Sequence, residues 1–358
     1  MKAWKTRPYQ KGDERAIADL VNAAAASPFN VDRWHWLFTG EGHKVYAQLA
    51  WDGDRCVGQS AVYLQHMRVD GQRLTWGITV DTATHPDYGR RGIFTRLAKE
   101  LYQRLAEDGI SVVYGLPNEQ SSHAYYKRLG RVPVNPQPRL WMIGEPPAGV
   151  RNRLGPLEGA SAAAAVGLAT ARGWLERGVS TLSAGKAEVA QTDTLPTDLQ
   201  PLCEAVNAQP GIHIEATPQH LAWRYVERPQ FTYTFVTLRR AGELVGLAVV
   251  RLPDGGGRAG FLMDFLVSDP SDRRATMALV SRACSVLHGL GATSLSALAP
   301  AGSTLRHAMI AVGFLPIRPR KADWVWTLGA RVLTDAAIAA QVYEGRSWHV
   351  GLGVHDQL

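Results

Sequence analysis

Residues 84–101, THPDYGRRGIFTRLAKEL, combine the residue types needed to hold an anion. A β-like run ends at Pro86, a basic glycine-containing turn follows, and a helix is expected to begin near Ile93. At such a junction the first helical amides have no intrahelical acceptor, and the positive end of the helix dipole lies behind them. That arrangement suits a pyrophosphate. Gly92 allows close backbone approach or a φ closed to other residues, and Arg90 and Arg91 add positive charge. An ordinary β–α turn with exposed arginines fits the same residues. The stretch is neither a Walker loop, lacking Gly-Lys-Ser/Thr, nor a G-x-G-x-x-G fingerprint.

Several elements must position this turn. A short strand is expected at residues 4–8 and an amphipathic helix at 13–25, with Ile17, Leu20 and Val21 at helical spacing. Residues 45–51 and 56–66 read as a hairpin around Asp52-Gly53-Asp54, and a third antiparallel strand runs near 73–84. The helix 93–107 carries Phe94, Leu97, Ala98, Leu101 and Leu105 on one face and ends before Gly109. An apolar strand, 111–116, leads to a helix at about 120–129 ending at Gly130, with more strand near 138–143.

The pattern then repeats. Trp36, Gly58, Pro86 and Gly130 correspond to Trp223, Gly246, Pro270 and Gly313, at offsets of about 187, 188, 184 and 183. We therefore expect two linked copies of one α/β unit, each a mixed, mostly antiparallel sheet flanked by helices. The boundaries are a first unit at 1–146, a helical linker at 147–185, a second unit at 186–332, and a tail helix and strand at 333–358. The linker is Ala-rich (GASAAAAVGLATARGWLERG), and Ser347–Gly353 reads as the tail strand.

The turn, the strand before it and the segment Asn118…Tyr126-Lys127-Arg128-Leu129-Gly130 resemble the GNAT superfamily of acyl-CoA-dependent N-acyltransferases. That family places an R/Q-x-x-G-x-G/A loop after a proline-ended strand, and later a helix ending in Tyr-x-x-Leu-Gly-Phe. Here Gly89 stands at the first loop position and Phe94 at the last, with Gly92 in the centre. The resemblance implies acetyl-CoA or another acyl-CoA as cosubstrate, and no metal. Its pantetheine would lie along Thr82, Ala83 and Thr84, and its diphosphate on Gly89, Arg90, Arg91, Gly92, Ile93, Phe94 and Thr95. Asn118 and Ser122 are assigned to the same ligand, Asn118 also suiting a helix N-cap. A tyrosine would protonate the departing thiolate; by position it is Tyr126, with Tyr125 as neighbour. Asp81 is the candidate base or binder of the acceptor's positive charge. His85 joins the catalytic candidates, with His123 a second histidine nearby.

In the second copy, SDPSDRRATMALVSRAC is one residue shorter between proline and helix, Ala275 stands at the Gly92 position, and no phenol matches Tyr126. That copy is expected to bind CoA poorly and to shape the acceptor pocket. Asp264, Trp223, Tyr225, Trp324, Trp326 and Trp348 either line that pocket or fill cores.

Composition narrows the partners. The 358 residues are 46% hydrophobic, no apolar run is long enough for a membrane span, and MKAWKTRPYQKGDERAIADL has no apolar h-region, so it is not expected to be a signal peptide. Three scattered cysteines give neither a disulfide framework nor metal spacing, pointing to the cytoplasm. The net charge of +7 favours a phosphate-bearing small molecule over nucleic acid, because the bases are dispersed. The expected partners are an acyl-CoA and a small-molecule amine, with no nucleic acid or membrane, in a monomer or homodimer. The expected reaction is acyl transfer to a primary amine, such as that of a nucleotide-linked aminosugar. An antibiotic or peptide amine, or a non-catalytic acyl-CoA-binding module, fits the same residues.

Overall fold

The computed structural model describes residues 4–24, 29–39, 44–117, 119–134, 139–143, 187–253, 258–300, 302–316 and 328–354. The first half runs β1 (Lys5–Pro8), α1 (Glu14–Ala24), α2 (Val31–Phe38), β2 (Tyr46–Asp52), β3 (Arg55–Val69), β4 (Gln72–Thr84), α3 (Ile93–Glu107), β5 (Val112–Gly115), α4 (Glu119–Arg128), β6 (Val132–Pro133) and β7 (Arg139–Ile143). The second runs β8 (Ala187–Thr192), α5 (Gln200–Asn207), β9 (Ile212–Ile214), α6 (Pro218–Tyr225), β10 (Thr234–Arg240), β11 (Glu243–Arg251), β12 (Ala259–Val267), α7 (Arg273–Gly289), β13 (Ser294–Leu298), α8 (Thr304–Ala311) and β14 (Leu315–Pro316). It closes with β15 (Gly329–Val332) and α9 (Ala339–Tyr343).

Two mixed sheets result. The first has the order β1-β2-β3-β4-β5-β15-β6, with β9 pairing the far end of β3. The second has the order β14-β7-β13-β12-β11-β10-β8. The two halves trade strands: β15 lies between β5 and β6 of the first sheet, and β7 lies between β13 and β14 of the second. Both sheets are antiparallel except at β4–β5 and β12–β13. The boundaries drawn along the sequence therefore divide the chain but not the sheets. Residues 139–143 and 329–332 each complete the opposite unit.

The repeat is visible as a symmetric contact at the seam. Trp36 on α2 and Trp223 on α6 stack with centroids 4.9 Å apart and planes 16° apart. Each indole N–H donates to the other residue's backbone carbonyl, at 2.8 and 2.9 Å. Such reciprocity is what a two-fold relation between matched positions produces. Beside it, Glu215 accepts from Arg68 and Arg73 at 2.5 and 2.8 Å, tying the residues after β9 to the β3–β4 hairpin. Burial pushes the Glu215 carboxyl up, but these two arginines hold it below its ordinary value.

Packing inside each unit follows the apolar patterns. Ile17, Leu20 and Val21 of α1 are buried with Trp34 and Phe38 on one face of the first sheet. Leu97, Leu101 and Leu105 of α3 are buried on the other. Gly58 sets how closely α3 approaches: a Cβ there would come within 2.4 Å of Ile93 Cγ2. Its counterpart Gly246 has Leu279 Cδ2 at 3.0 Å from the same virtual atom. Residues 347–353 do not form a strand. They make 3-10 turns at Gly345–Ser347 and Leu352–Val354 and a single bridge from Trp348 to Ile212. The expected linker helices at 147–185 lie outside the described residues.

Two predictions follow from the seam. Trp36→Ala and Trp223→Ala should each cost about 2 kcal/mol. Because they remove one shared contact, the double variant should fall short of additivity by more than about 0.5 kcal/mol in urea unfolding; additive costs would contradict a coupled pair. Burial also pushes His213 and His220 down to about 4. The unfolded chain thus takes up protons below about pH 6.5 that the folded chain refuses until about pH 4. Thermal stability should decline as pH falls through that window, and a flat melting temperature from pH 7 to 4.5 would refute it.

Candidate functional site

The site begins where β4 and β5 part. Their parallel pairing covers only Gly77–Val113 and Ile78–Tyr114. Beyond it, β4 carries a bulge: Ala61 pairs with Val80 and Gln59 with Ala83, so Asp81 and Thr82 together oppose Ser60. Asp81 takes φ +42°, a left-handed conformation Asp tolerates, and its carbonyl accepts from Gln59 Nε2 at 2.8 Å. The extra residue bends β4 away from β5 and opens a V. Ala83 and Thr84 continue on β3 at Gln59 and Gly58, leaving the β5-facing side of this segment to the fork.

At the mouth of the V the chain makes the expected basic turn. A 3-10 turn, Pro86–Tyr88, is followed by Gly89 in extended geometry, Arg90 at φ +60° and Gly92 at φ +77°. Gly92 is the N-cap of α3, which has no side-chain cap. A Cβ on Gly92 would meet nothing within 4 Å, so it is the positive φ, and not packing, that asks for glycine. The amides of Ile93, Phe94 and Thr95 therefore start a 15-residue helix without an internal acceptor, in a turn whose residues 89–92 are exposed. The Ile93 side chain is buried against Gly58, so only its amide belongs to the cradle. Arg91 donates to the Asp87 carbonyl at 3.1 Å and lies 5.0 Å from the Tyr88 ring centre.

The aromatic wall comes from α4. Tyr125 is buried, its hydroxyl 3.0 Å from Thr82 Oγ1 and its ring edge-on to Phe94 at 5.1 Å. Tyr126 lies flat against β15: a Cβ on Gly329 would stand 2.8 Å from its hydroxyl. Burial pushes this phenol up to about 12, against the opposing pull of the Arg131 charge. Gly329 pairs directly with Gly115 at the end of β5, so two facing glycines form a floor without side chains. Arg331 on β15 donates to the Leu129 carbonyl at 2.6 Å, fixing the end of α4. The exchanged strand thus supplies both the floor and the clamp.

Two candidates are engaged elsewhere. Asp81 Oδ1 accepts from Arg33 on α2 at 2.9 Å, and the two side chains are 2% and 7% exposed. Asp81 thus stands in a buried ion pair that braces the bulge. His85 caps the 3-10 turn through Nδ1, which accepts from the Asp87 amide at 3.2 Å, and Nε2 faces Arg55 at 2.6 Å. It borders a groove with α1 and the β2–β3 turn, not the V. His123 is exposed on α4, and Ser122 is buried. Asn118 lies outside the described residues, as do Trp324 and Trp326. Sequence reading overlooked Arg131, Thr79 and Gly329. Arg131 is 3% exposed and its Nη2 donates to Thr79 Oγ1 at 2.6 Å and to Tyr102 Oη at 3.1 Å.

The second half keeps the fork but not the anion cradle. Pairing of β12 with β13 stops at Phe261–Ser296, and a bulge at Met263 precedes Asp264. A cavity of about 390 Å³ lies there, bordered by Met263, Phe265, Leu305, Met309 and the tail at His349–Gly351. Helix α7, however, starts at Arg273, three residues after Pro270, where α3 starts seven after Pro86. Ala275 is therefore buried inside the first turn instead of capping it. The cap is Asp272, whose carboxylate accepts from the Ala275 amide at 2.9 Å and binds Arg240. An acidic cap occupies the donors a diphosphate would need and repels its charge. Asp264 is held by the Tyr225 hydroxyl at 3.0 Å, Trp348 is fully buried in the first core, and Trp223 belongs to the seam.

Comparison with known proteins agrees with this architecture. A family model described as an acetyltransferase (GNAT) domain matches residues 5–131. No curated protein matches the sequence. Among solved structures, a GCN5-related N-acetyltransferase from Kribbella flavida aligns with TM-score 0.58 and 12% identity, over 92% of this chain and 71% of its own. Eis1 from Mycobacterium abscessus aligns with TM-score 0.57 and 17% identity, over 96% and 81%. A tandem GNAT protein from the clavulanic acid biosynthesis pathway aligns with TM-score 0.54 and 12% identity, over 93% of this chain and all of its own, 100%. At these identities the likeness is one of fold, and the family assignment rests on the matched residues. Residues 5–131 thus match a GNAT acetyltransferase domain, and the two mixed sheets are consistent with tandem domains of that fold.

Proposed function

We propose that the first unit transfers an acyl group from acyl-CoA to the primary amine of a small molecule. The observation that carries this reading is the uncapped turn at Arg90–Gly92, two left-handed residues aiming the first amides of α3 outward beside the opening fork. The diphosphate would sit on the amides of residues 91–95, with Arg90 and Arg91 alongside. The pantetheine would run along Thr84, Ala83 and Thr82, adding a backbone ladder in place of the departed β5. The thioester then falls near the bulge, where a β4 amide can polarise its carbonyl.

In the reaction the amine nitrogen bonds to the acyl carbon and the C–S bond breaks. The proton lost by the amine leaves through solvent, since Asp81 and His85 are both occupied. The thiolate takes its proton from Tyr126, a phenol that burial keeps protonated at neutral pH. The sequence resemblance and the basic surplus favour a nucleotide-linked aminosugar as acceptor. A route to the acceptor face is offered by a cavity of about 250 Å³ at the seam, bordered by Tyr63, His66, Glu215 and Trp223. The second unit would support this face without binding CoA itself.

Calorimetry with coenzyme A should give one site per chain, and Gly92→Glu should abolish binding while the melting temperature stays near that of the wild type. Two sites, or unchanged affinity in the variant, would refute the cradle. Tyr126→Phe should lower kcat by roughly 10²-fold with little change in KM, measured as thiol release from acetyl-CoA with a panel of amines that includes nucleotide-activated aminosugars. A wild-type kcat would make Tyr126 a packing residue.

A further inference from the structure

Arg131 is a buried cation that the fold itself does not require. The matched position in the second half, 183 residues on, is Phe314, fully buried after Gly313 just as Arg131 follows Gly130. One copy of the same architecture thus closes this spot with an apolar ring, and the other places a guanidinium there. Among the described residues no carboxylate pairs with it. Its hydrogen bonds are the two from Nη2 to neutral hydroxyls, Thr79 and Tyr102, and its face lies 3.9 Å from the Tyr125 ring centre. Nε and Nη1 are buried without a hydrogen-bond partner. An unpaired buried charge is among the most costly groups a protein can keep, which argues for a ligand that completes it.

The position of Nη1 says which part of a ligand that would be. A Cβ on Gly115 would lie 3.4 Å from Arg131 Nη1 and 2.8 Å from Thr79 Oγ1. Gly115 ends β5, and Thr79 is the first β4 residue beyond the last β4–β5 pair. Nη1 therefore sits at the vertex of the V, on the face shared by α3 and α4. A cosubstrate anchored by its diphosphate at the α3 turn and laid along Thr84 to Thr82 points its acyl end at that vertex. The facing glycines 115 and 329 let Arg131 and Tyr126 lie close on the sheet there.

We propose that the acyl donor carries a terminal carboxylate, as in malonyl- or succinyl-CoA, and that Arg131 is the residue that selects it. This rests on the assignment of the fork to acyl-CoA. The free carboxylate would accept a charge-assisted hydrogen bond from Nη1 of Arg131, the donor that faces Gly115. Arg131 is then a specificity-determining residue, and a neutral acyl chain of equal length would leave its charge unpaired.

The test compares donors of matched chain length by calorimetry on the full chain: malonyl- against propionyl-CoA, and succinyl- against butyryl-CoA. At least one carboxylated donor should bind tenfold or more tightly than its neutral counterpart. Arg131→Phe, which installs the residue the second half already accommodates, should erase that preference while coenzyme A itself binds as before. Equal affinity of the wild type within both pairs would overturn the proposal even where coenzyme A binds well. Absence of binding by any of the four donors and by coenzyme A would overturn the acyl-CoA assignment beneath it. The wild-type comparison decides the matter even if the variant fails to fold.

Discussion

One extra residue in β4 organises the first half of this protein. Without the bulge at Asp81–Thr82, β4 and β5 would continue as an ordinary parallel pair and their backbone groups would satisfy one another. With it, the strands part after Ile78 and the β5-facing edge of β4 is left for another partner. A left-handed, non-glycine residue in mid-strand is strained, and it persists only where its surroundings fix it. Here Gln59 holds the Asp81 carbonyl and Arg33 holds its carboxylate, so the conformation is braced from β3 and from α2.

The rest of the site is built around that opening. Gly58 lets α3 lie close on β3, which brings the helix N-terminus to the mouth of the V. The exchanged strand β15 brings Gly329 opposite Gly115 and Arg331 onto the end of α4. The N-terminal site therefore depends on residues from the far end of the chain, and the Trp36–Trp223 seam holds the two ends in register. The first unit thus draws on residues of the second half, whose own helix start carries an acidic cap. There helix α7 has closed its N-terminus with Asp272, while the fork remains as a cavity beside the C-terminal tail.

Much of this was legible in the sequence, for physical reasons that differ from element to element. The turn at 89–92 is local chemistry: a proline-ended strand, two arginines and a glycine at the helix start specify it within a few residues. The repeat is legible because matched glycines and tryptophans recur at nearly constant offset. The strand exchange is not, because residues 139–143 and 329–332 read as strands in either pairing and only tertiary packing selects the sheet. The Asp81–Arg33 ion pair is not legible either, because the two residues lie 48 apart and no spacing rule connects them. Arg131 was visible in principle, as the residue that breaks the match with Phe314. Its importance emerges only when its burial and the vertex of the V are seen together.

The central claim is that the turn before α3 holds the diphosphate of coenzyme A, and a crystal structure with bound coenzyme A tests it most directly. The account predicts phosphate oxygens within about 3 Å of the amides of residues 91–95, and an empty second fork. Coenzyme A bound in the second fork, or bound in the first with its diphosphate away from this turn, would contradict it.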